Sequence, residues 1–286
     1  MMVTVTQATS QSNSLIDYVK QVFIIAYKEP TEALESCFRE EGFNCEVLRQ
    51  KHLEEYKGYS NSYLCLLNHC QAWQRIIQEN KPTLIIEADF VPVVGISQLP
   101  LPFNPSRKDV GIAWLYTCAP QVYYVSPEGF ATGFSTSAVA YIVTPEAAKV
   151  LITLEEKIRQ NPGPKSYSSW DSTIDNLLRE QKLKNYLPFR CYGEHGGLPN
   201  LEHYRNNLSK SHRADVLYGS LAFLPIYAQG KNSTWLAFWW ERLQARIKGI
   251  GRLLAGKYLR LATLRRNNYS CRFLGFAIFR HLTWRL

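Results

Sequence analysis

The sequence predicts an α/β fold, a three-layer sandwich around a mainly parallel central sheet. Three observations carry this expectation. Short apolar runs at residues 22–26 (VFIIA) and 84–86 (LII) fit strands covered on both faces. These runs alternate with segments of helical periodicity, the element order of a parallel sheet. A chain of 286 residues, 46% hydrophobic and 20% charged, can bury one generous core or two small ones.

Residues 22–26 form the first buried strand, 31–41 the helix after it and 45–48 the second strand. This β-α-β opening suits a nucleotide-binding domain. Neither a GxGxxG nor a Walker-type glycine loop follows, which excludes a standard dinucleotide fold or P-loop. Leu66, Cys70, Trp73 and Ile77 recur at helical spacing and predict one buried helix face. Asn80-Lys81-Pro82 stops that helix, because proline disfavours helical geometry in the residue before it. The strand 84–86 follows, and Glu87 and Asp89 stand at its carboxyl end, where open α/β sheets place ligands.

Farther on, 92–107 reads as a proline-rich loop, and 109–116 and 122–125 as strands. Residues 129–133 read as a loop with two glycines, and 137–143 as another strand. Thr144-Pro145 opens a helix, with Thr as N-cap and Pro in the first turn. A loop at 161–169 leads to a second helix at 170–181.

Seven cysteines are scattered without CxxC pairs, as expected of free thiols in a reducing compartment. Residues 1–15 read as a polar tail with neither a basic n-region nor an apolar h-region. The expected location is therefore the cytoplasm, at the inner face of the membrane. The net charge of +9 is unevenly distributed. Residues 235–286 carry eleven Lys and Arg against one acid, Glu241, so the other 234 residues sum to −1. Charge thus divides a body at 16–232 from a basic arm at 233–286.

In the arm, Leu236, Leu243, Ile250 and Leu264 fall on one heptad series and Trp240, Ile247, Leu254 and Leu261 on another. No run reaches the ~20 apolar residues of a membrane span. The pattern fits a helix lying on an anionic membrane surface. The alternative is packing against the body or a second subunit. Nucleic acid is not expected, since the bases surround a large apolar stripe.

An acidic Glu-x-Asp pair at a strand end suits a divalent metal, Mn²⁺ or Mg²⁺, carrying a phosphorylated substrate. The plain alternative is two surface acids in a loop. A second constellation is Trp170-Asp171-Ser172-Thr173-Ile174-Asp175, where either acid is a candidate base. Asp171 lies nearer the edge of the buried stripe formed by Trp170, Ile174, Leu177 and Leu178, which would raise its pKa. His195 precedes two glycines in a loop that permits close approach to a diphosphate or acceptor, or that is a simple turn. His69 lies beside the apolar stripe of its helix, the position of a structural histidine.

From His69 through Ala72-Trp73-Gln74 to Leu84-Ile85-Ile86-Glu87, the chain resembles the bacterial lipooligosaccharide glycosyltransferases of family 25. Their pattern is Ser-His, a helix with Ala-Trp, a polar turn and a strand ending Glu-Asp-Asp. Here Asn68 replaces the Ser and Ala88 the middle acid. Gly133 to Tyr141 and the helix with Ala147-Ala148 and Leu151 extend the likeness. The resemblance implies a GT-A-like fold and transfer of a hexose, most often galactose. It implies a UDP-sugar donor, a lipopolysaccharide, surface-glycan or lipid-linked acceptor, and inversion at the anomeric carbon. It makes Asp89 the metal ligand with Glu87 as partner or ribose contact. His69 becomes the family's Ser-His histidine, and the Thr-Ile-Asp spacing favours Asp175. Ala88 keeps open a non-catalytic relative that binds nucleotide or glycan, or scaffolds an assembly at the membrane.

Overall fold

The computed structural model describes residues 14–198, 202, 206, 212–230, 234–257 and 271–282. The strands are β1 (Gln21–Ala26), β2 (Asn44–Arg49), β3 (Thr83–Glu87), β4 (Phe90–Pro92), β5 (Val110–Trp114), β6 (Gln121–Val125), β7 (Ala131–Phe134), β8 (Ala140–Val143), β9 (Lys184–Leu187) and β10 (Gly193–His195). Eight of them form one sheet in the order β2-β1-β3-β8-β5-β9-β7-β6, with β7 and β8 running against the other six. β4 and β10 pair antiparallel in a separate ribbon. The α/β class and mainly one-way sheet expected from the sequence are found.

Side-chain alternation assigns the two sheet faces. Phe23, Ile25 and Ile85 point to one side, under α3 (Asn61–Glu79), α4 (Pro145–Leu151), α5 (Thr153–Gln160) and α6 (Ile174–Glu180). Val22, Ile24, Leu84 and Ile86 point to the other, under α1 (Leu15–Tyr18) and α2 (Glu32–Glu40). Strands with no polar face, such as β3, are the consequence. α3 starts at Ser60, whose side chain accepts from Tyr63 N at 3.2 Å. It ends at Asn80 in the left-handed conformation (φ 51°), with Pro82 beyond. Trp73 on this helix is fully buried, and its truncation to alanine costs about 3–5 kcal/mol.

Three differences from the sequence reading have physical reasons. The glycine loop at 129–133 is largely strand β7, and Gly133 serves packing: a Cβ there would collide with the Gln121 carbonyl oxygen of β6. β9 escapes detection because Lys184 and Asn185 interrupt any apolar run. The tail also ends early, since Ser14 and Leu15 are already buried; residues 1–13 lie outside the described residues.

The basic arm contributes two helices, a first arm helix (Thr234–Leu254) and a second (Cys271–Leu282). Two of its arginines turn inward. Arg242 pairs with Glu194, and Arg280 with Asp215 at 2.7 Å, all four side chains essentially buried. The heptad apolar residues face outward instead. Leu236, Trp240, Leu243, Ile247, Ile250 and Leu254 are all exposed. Leu261 and Leu264 lie outside the described residues. Among the described residues, no helix is long and apolar enough to cross a membrane.

Candidate active site

From β1 the chain moves through α2 to β2 on one side, while β3 lies on the other. The carboxyl ends of β1 and β3 therefore flank a topological switch point, where such sheets bind ligands. A cavity of about 590 Å³ occupies that place, a size suited to a small-molecule ligand. Ala26, Tyr27 and Gln50 form one wall, Glu87 to Asp89 the floor, and Cys65, Trp170, Asp171 and His195 are among the residues closing it.

The turn after β3 is held by two backbone bonds, Glu87 N to Val139 O and Ala88 N to Ile25 O, both 2.8 Å. Ala88 packs on the apolar cluster beneath the sheet. The acids on either side of it, Glu87 and Asp89, converge with His195. One ligand atom from each of the three lies within 4.8 Å of the others. The middle position contributes no ligand atom to this trio, so alanine there leaves the converging set intact.

His195 arrives through the β4–β10 ribbon, whose register sets it opposite Phe90, next to Asp89. Its Nε2 lies 3.0 Å from Asp89 Oδ2, and Gly196 N donates to Asp89 O at 2.7 Å. Gly197 is a close approach, since a Cβ there would strike the Asp89 carboxylate. Arg213 braces the loop by donating to His195 O at 2.7 Å and Gly197 O at 3.0 Å, its guanidinium 3.9 Å from the Tyr227 ring centre. Burial alone would discharge both members of the pair. The Asp89 carboxylate outweighs it and pushes His195 up to about 9. For Asp89, burial raises the pKa, but His195 and then Arg213 bring it below the ordinary carboxylate value.

The donor set fits a divalent cation. Asp89 Oδ1 is buried without a hydrogen-bond partner. Two carboxylates and an imidazole suit Mn²⁺ better than the all-oxygen preference of Mg²⁺.

His69 is fully buried behind this site. Its Nδ1 lies 2.8 Å from Tyr141 OH, which also accepts from Trp73 Nε1 at 3.0 Å. When that hydroxyl donates to Nδ1, the imidazole proton sits on Nε2, facing Glu87 Oε1 at 3.6 Å. Among the described residues His69 Nε2 has no hydrogen-bond partner, and the residue does not line the cavity. Cys65 joins His69 and Glu87 in a second cluster of potential ligands. Its Cys-x-x-x-His spacing was visible in the sequence. Asn68, the residue before His69, donates to the carbonyls of Ala26 at 3.1 Å and Leu48 at 2.9 Å, clamping the ends of β1 and β2.

The two aspartates after Trp170 separate. Asp171 lines the cavity, where burial, reinforced by the charge of Glu87, pushes its pKa up to about 7. Asp175 is buried elsewhere, accepting from Tyr123 OH at 2.8 Å, Arg179 Nε at 2.9 Å and Asn185 Nδ2 at 2.9 Å. It fastens α6 to β6 and β9 and does not line the cavity. Arg213 escaped the sequence reading, since a lone arginine in a polar stretch gives no signal.

No protein-family model matches the chain, and no curated protein matches it in sequence. Among solved structures, one of a glycosyltransferase involved in the glycosylation of the major capsid of PBCV-1 matches with a TM-score of 0.40 and 10% identity. The match covers 58% of this chain and 80% of that one. It does not single out family 25.

Proposed function

We propose that the protein is an inverting, metal-assisted glycosyltransferase. It transfers a hexose, by the sequence resemblance galactose, from a UDP-sugar to lipopolysaccharide or another surface-glycan acceptor. The observation that carries this reading is the meeting, in one switch-point cavity, of the Glu87–Asp89–His195 trio with Asp171.

Asp171 is the base. A carboxylate titrating near neutrality accepts the proton of the acceptor hydroxyl as that oxygen attacks the anomeric carbon and UDP departs on the opposite side. The nucleoside lies against Tyr27 and Gln50 at the ends of β1 and β2. Glu87, Asp89 and His195 would hold the metal, which when bound neutralises charge on the departing diphosphate. Arg213 keeps His195 beside Asp89.

The acceptor reading extends to an anionic membrane surface through the arm. A helix that buries Arg242, Ala245 and Gly249 while exposing Trp235, Trp239, Trp240 and Ile247 presents an apolar face outward, as an interfacial helix does.

Purified protein with Mn²⁺ is expected to hydrolyse one of a panel of UDP-sugars slowly, and Asp89→Ala to abolish UDP release. No turnover of any sugar nucleotide, together with nucleotide binding unaltered by Asp89→Ala, would leave a non-catalytic binding protein instead.

A further inference from the structure

A second cavity, of about 280 Å³, lies between the body and the first arm helix. The body supplies Cys118, Thr136, His212 and Arg213, and the helix supplies Glu241, Gln244, Lys248 and Arg252 among others. Its chemistry is cationic. Three permanent cations face one acid, and that acid, Glu241, is engaged by Arg213 Nε at 3.4 Å. Arg252 donates one guanidinium N–H to Cys118 O. Lys248 is exposed and makes no hydrogen bond or ion pair among the described residues. Such a pocket repels metal ions and favours an anion, for which arginine and lysine are the usual partners.

Its position gives the anion a role. Thr136 and His212 line both this cavity and the larger one that holds Asp171. Arg213 joins them mechanically, bordering the cationic cavity while bracing the loop that sets His195 beside Asp89. A molecule anchored by an anionic group against Lys248 and Arg252 therefore has its remainder directed past Thr136 and His212 toward the donor cavity. We infer that this cavity is the acceptor's anchoring subsite, and that it takes a phosphate ester: the acceptor is a phosphorylated saccharide. This rests on the glycosyl-transfer reading for its role, but not for the binding itself.

The phosphate could belong to a saccharide or to a lipid headgroup, and the test separates them. The full chain is saturated with UDP, so that the donor cavity is filled, and titrated with glucose 1-phosphate by calorimetry. Binding is expected with UDP present, and Lys248→Gln is expected to weaken it about five- to tenfold, the worth of one charge-assisted contact. Arg252→Gln should weaken it further. Lys248→Gln is the decisive variant if Arg252→Gln fails to fold. Lys257→Gln, the same charge change on an exposed lysine outside the cavity, should leave binding unchanged. No binding, displacement by UDP, or equal loss in Lys257→Gln overturns the subsite. So does a Lys248→Gln effect seen only as weaker sedimentation with phosphatidylglycerol vesicles, which assigns the cations to a headgroup. Intact sugar-phosphate binding without UDP-sugar turnover would overturn the transfer reading alone.

Discussion

His195 Nε2 lies 3.0 Å from Asp89 Oδ2 because β10 runs antiparallel to β4 with His195 opposite Phe90. A short ribbon outside the main sheet therefore completes a site whose acids stand at the end of a central strand. The pair is an ion pair when no cation is bound, since His195 keeps its proton to about 9. A ligating imidazole must be neutral, so metal and proton compete for the same nitrogen.

Loss of either partner should uncouple the metal from the cavity. Asp89→Asn and His195→Gln preserve approximate shape while removing a ligand. Each is expected to weaken Mn²⁺ binding, followed by electron paramagnetic resonance, by at least about 10–100-fold. His69→Gln, which changes a buried residue outside the cavity lining, should cost less. An affinity for Mn²⁺ equal in all four proteins would exclude this trio as the metal site.

Stability without metal should depend on pH through the same pair. His195 titrates near 6.5 when unfolded and near 9 when folded. A raised folded value stabilises fully below the unfolded pKa, and the contribution fades as pH rises through about 9. In EDTA, the urea midpoint should fall between pH 7 and 9.5, corresponding to roughly 1–3 kcal/mol for a largely desolvated pair. The difference between wild type and His195→Gln should shrink over that interval. A constant difference would show that the pair does not titrate there.

Asp171 and Asp175 make opposite predictions. If Asp171 is the base, kcat/KM for transfer rises tenfold per pH unit up to about 7 and then levels. Asp171→Asn should lower turnover by about 10²–10⁴-fold and remove that limb. Asp175→Asn should keep the limb and lose about 1–3 kcal/mol of stability, because it disturbs hydrogen bonds to Tyr123, Arg179 and Asn185. A limb that disappears in Asp175→Asn would reverse the assignment.

The first half of the sheet was legible because local signals agreed there. β1, α2, β2, α3 and β3 each carry an apolar run or stripe, Asn80 and Pro82 close α3, and Glu87 and Asp89 break the pattern where a site is expected. The distinction between Asp171 and Asp175 followed only partly, since helical geometry suggested an edge but not the cavity beyond it. The meeting of His195 with Glu87 and Asp89 was not legible. It comes from the register of β10 against β4, a non-local pairing that three residues cannot announce. The arm misled in a specific way. Its arginines read as bases set for an anionic membrane surface, yet Arg242 and Arg280 are buried because Glu194 and Asp215 wait for them far away in the chain.

Those buried pairs make the arm structural. Glu194 accepts from Arg242, from Ala214 N at 2.8 Å and from its neighbour His195 N at 3.0 Å. Arg242→Met would strand a carboxylate with no exposure to solvent, at a cost of about 3–5 kcal/mol. Adding Glu194→Gln should recover much of that loss in urea unfolding. If Arg242→Met alone is as stable as wild type, the pair does not hold the arm.

The same packing decides how membrane association has to be tested. Removing residues 235–286 strips Glu194 and Asp215 of their arginine partners, so a truncated chain that fails to sediment with liposomes would report misfolding as readily as lost binding. Substitutions on the outward face avoid this. Trp240 and Ile247 are 60% and 59% exposed and belong to one heptad series. Changing both to glutamate removes apolar area and adds two charges that an anionic surface repels, at about 1 kcal/mol per charge. Sedimentation with phosphatidylglycerol vesicles should fall at least about tenfold while the urea midpoint stays near that of wild type. Unchanged sedimentation in the doubly substituted protein would leave this face to a protein partner or a second copy.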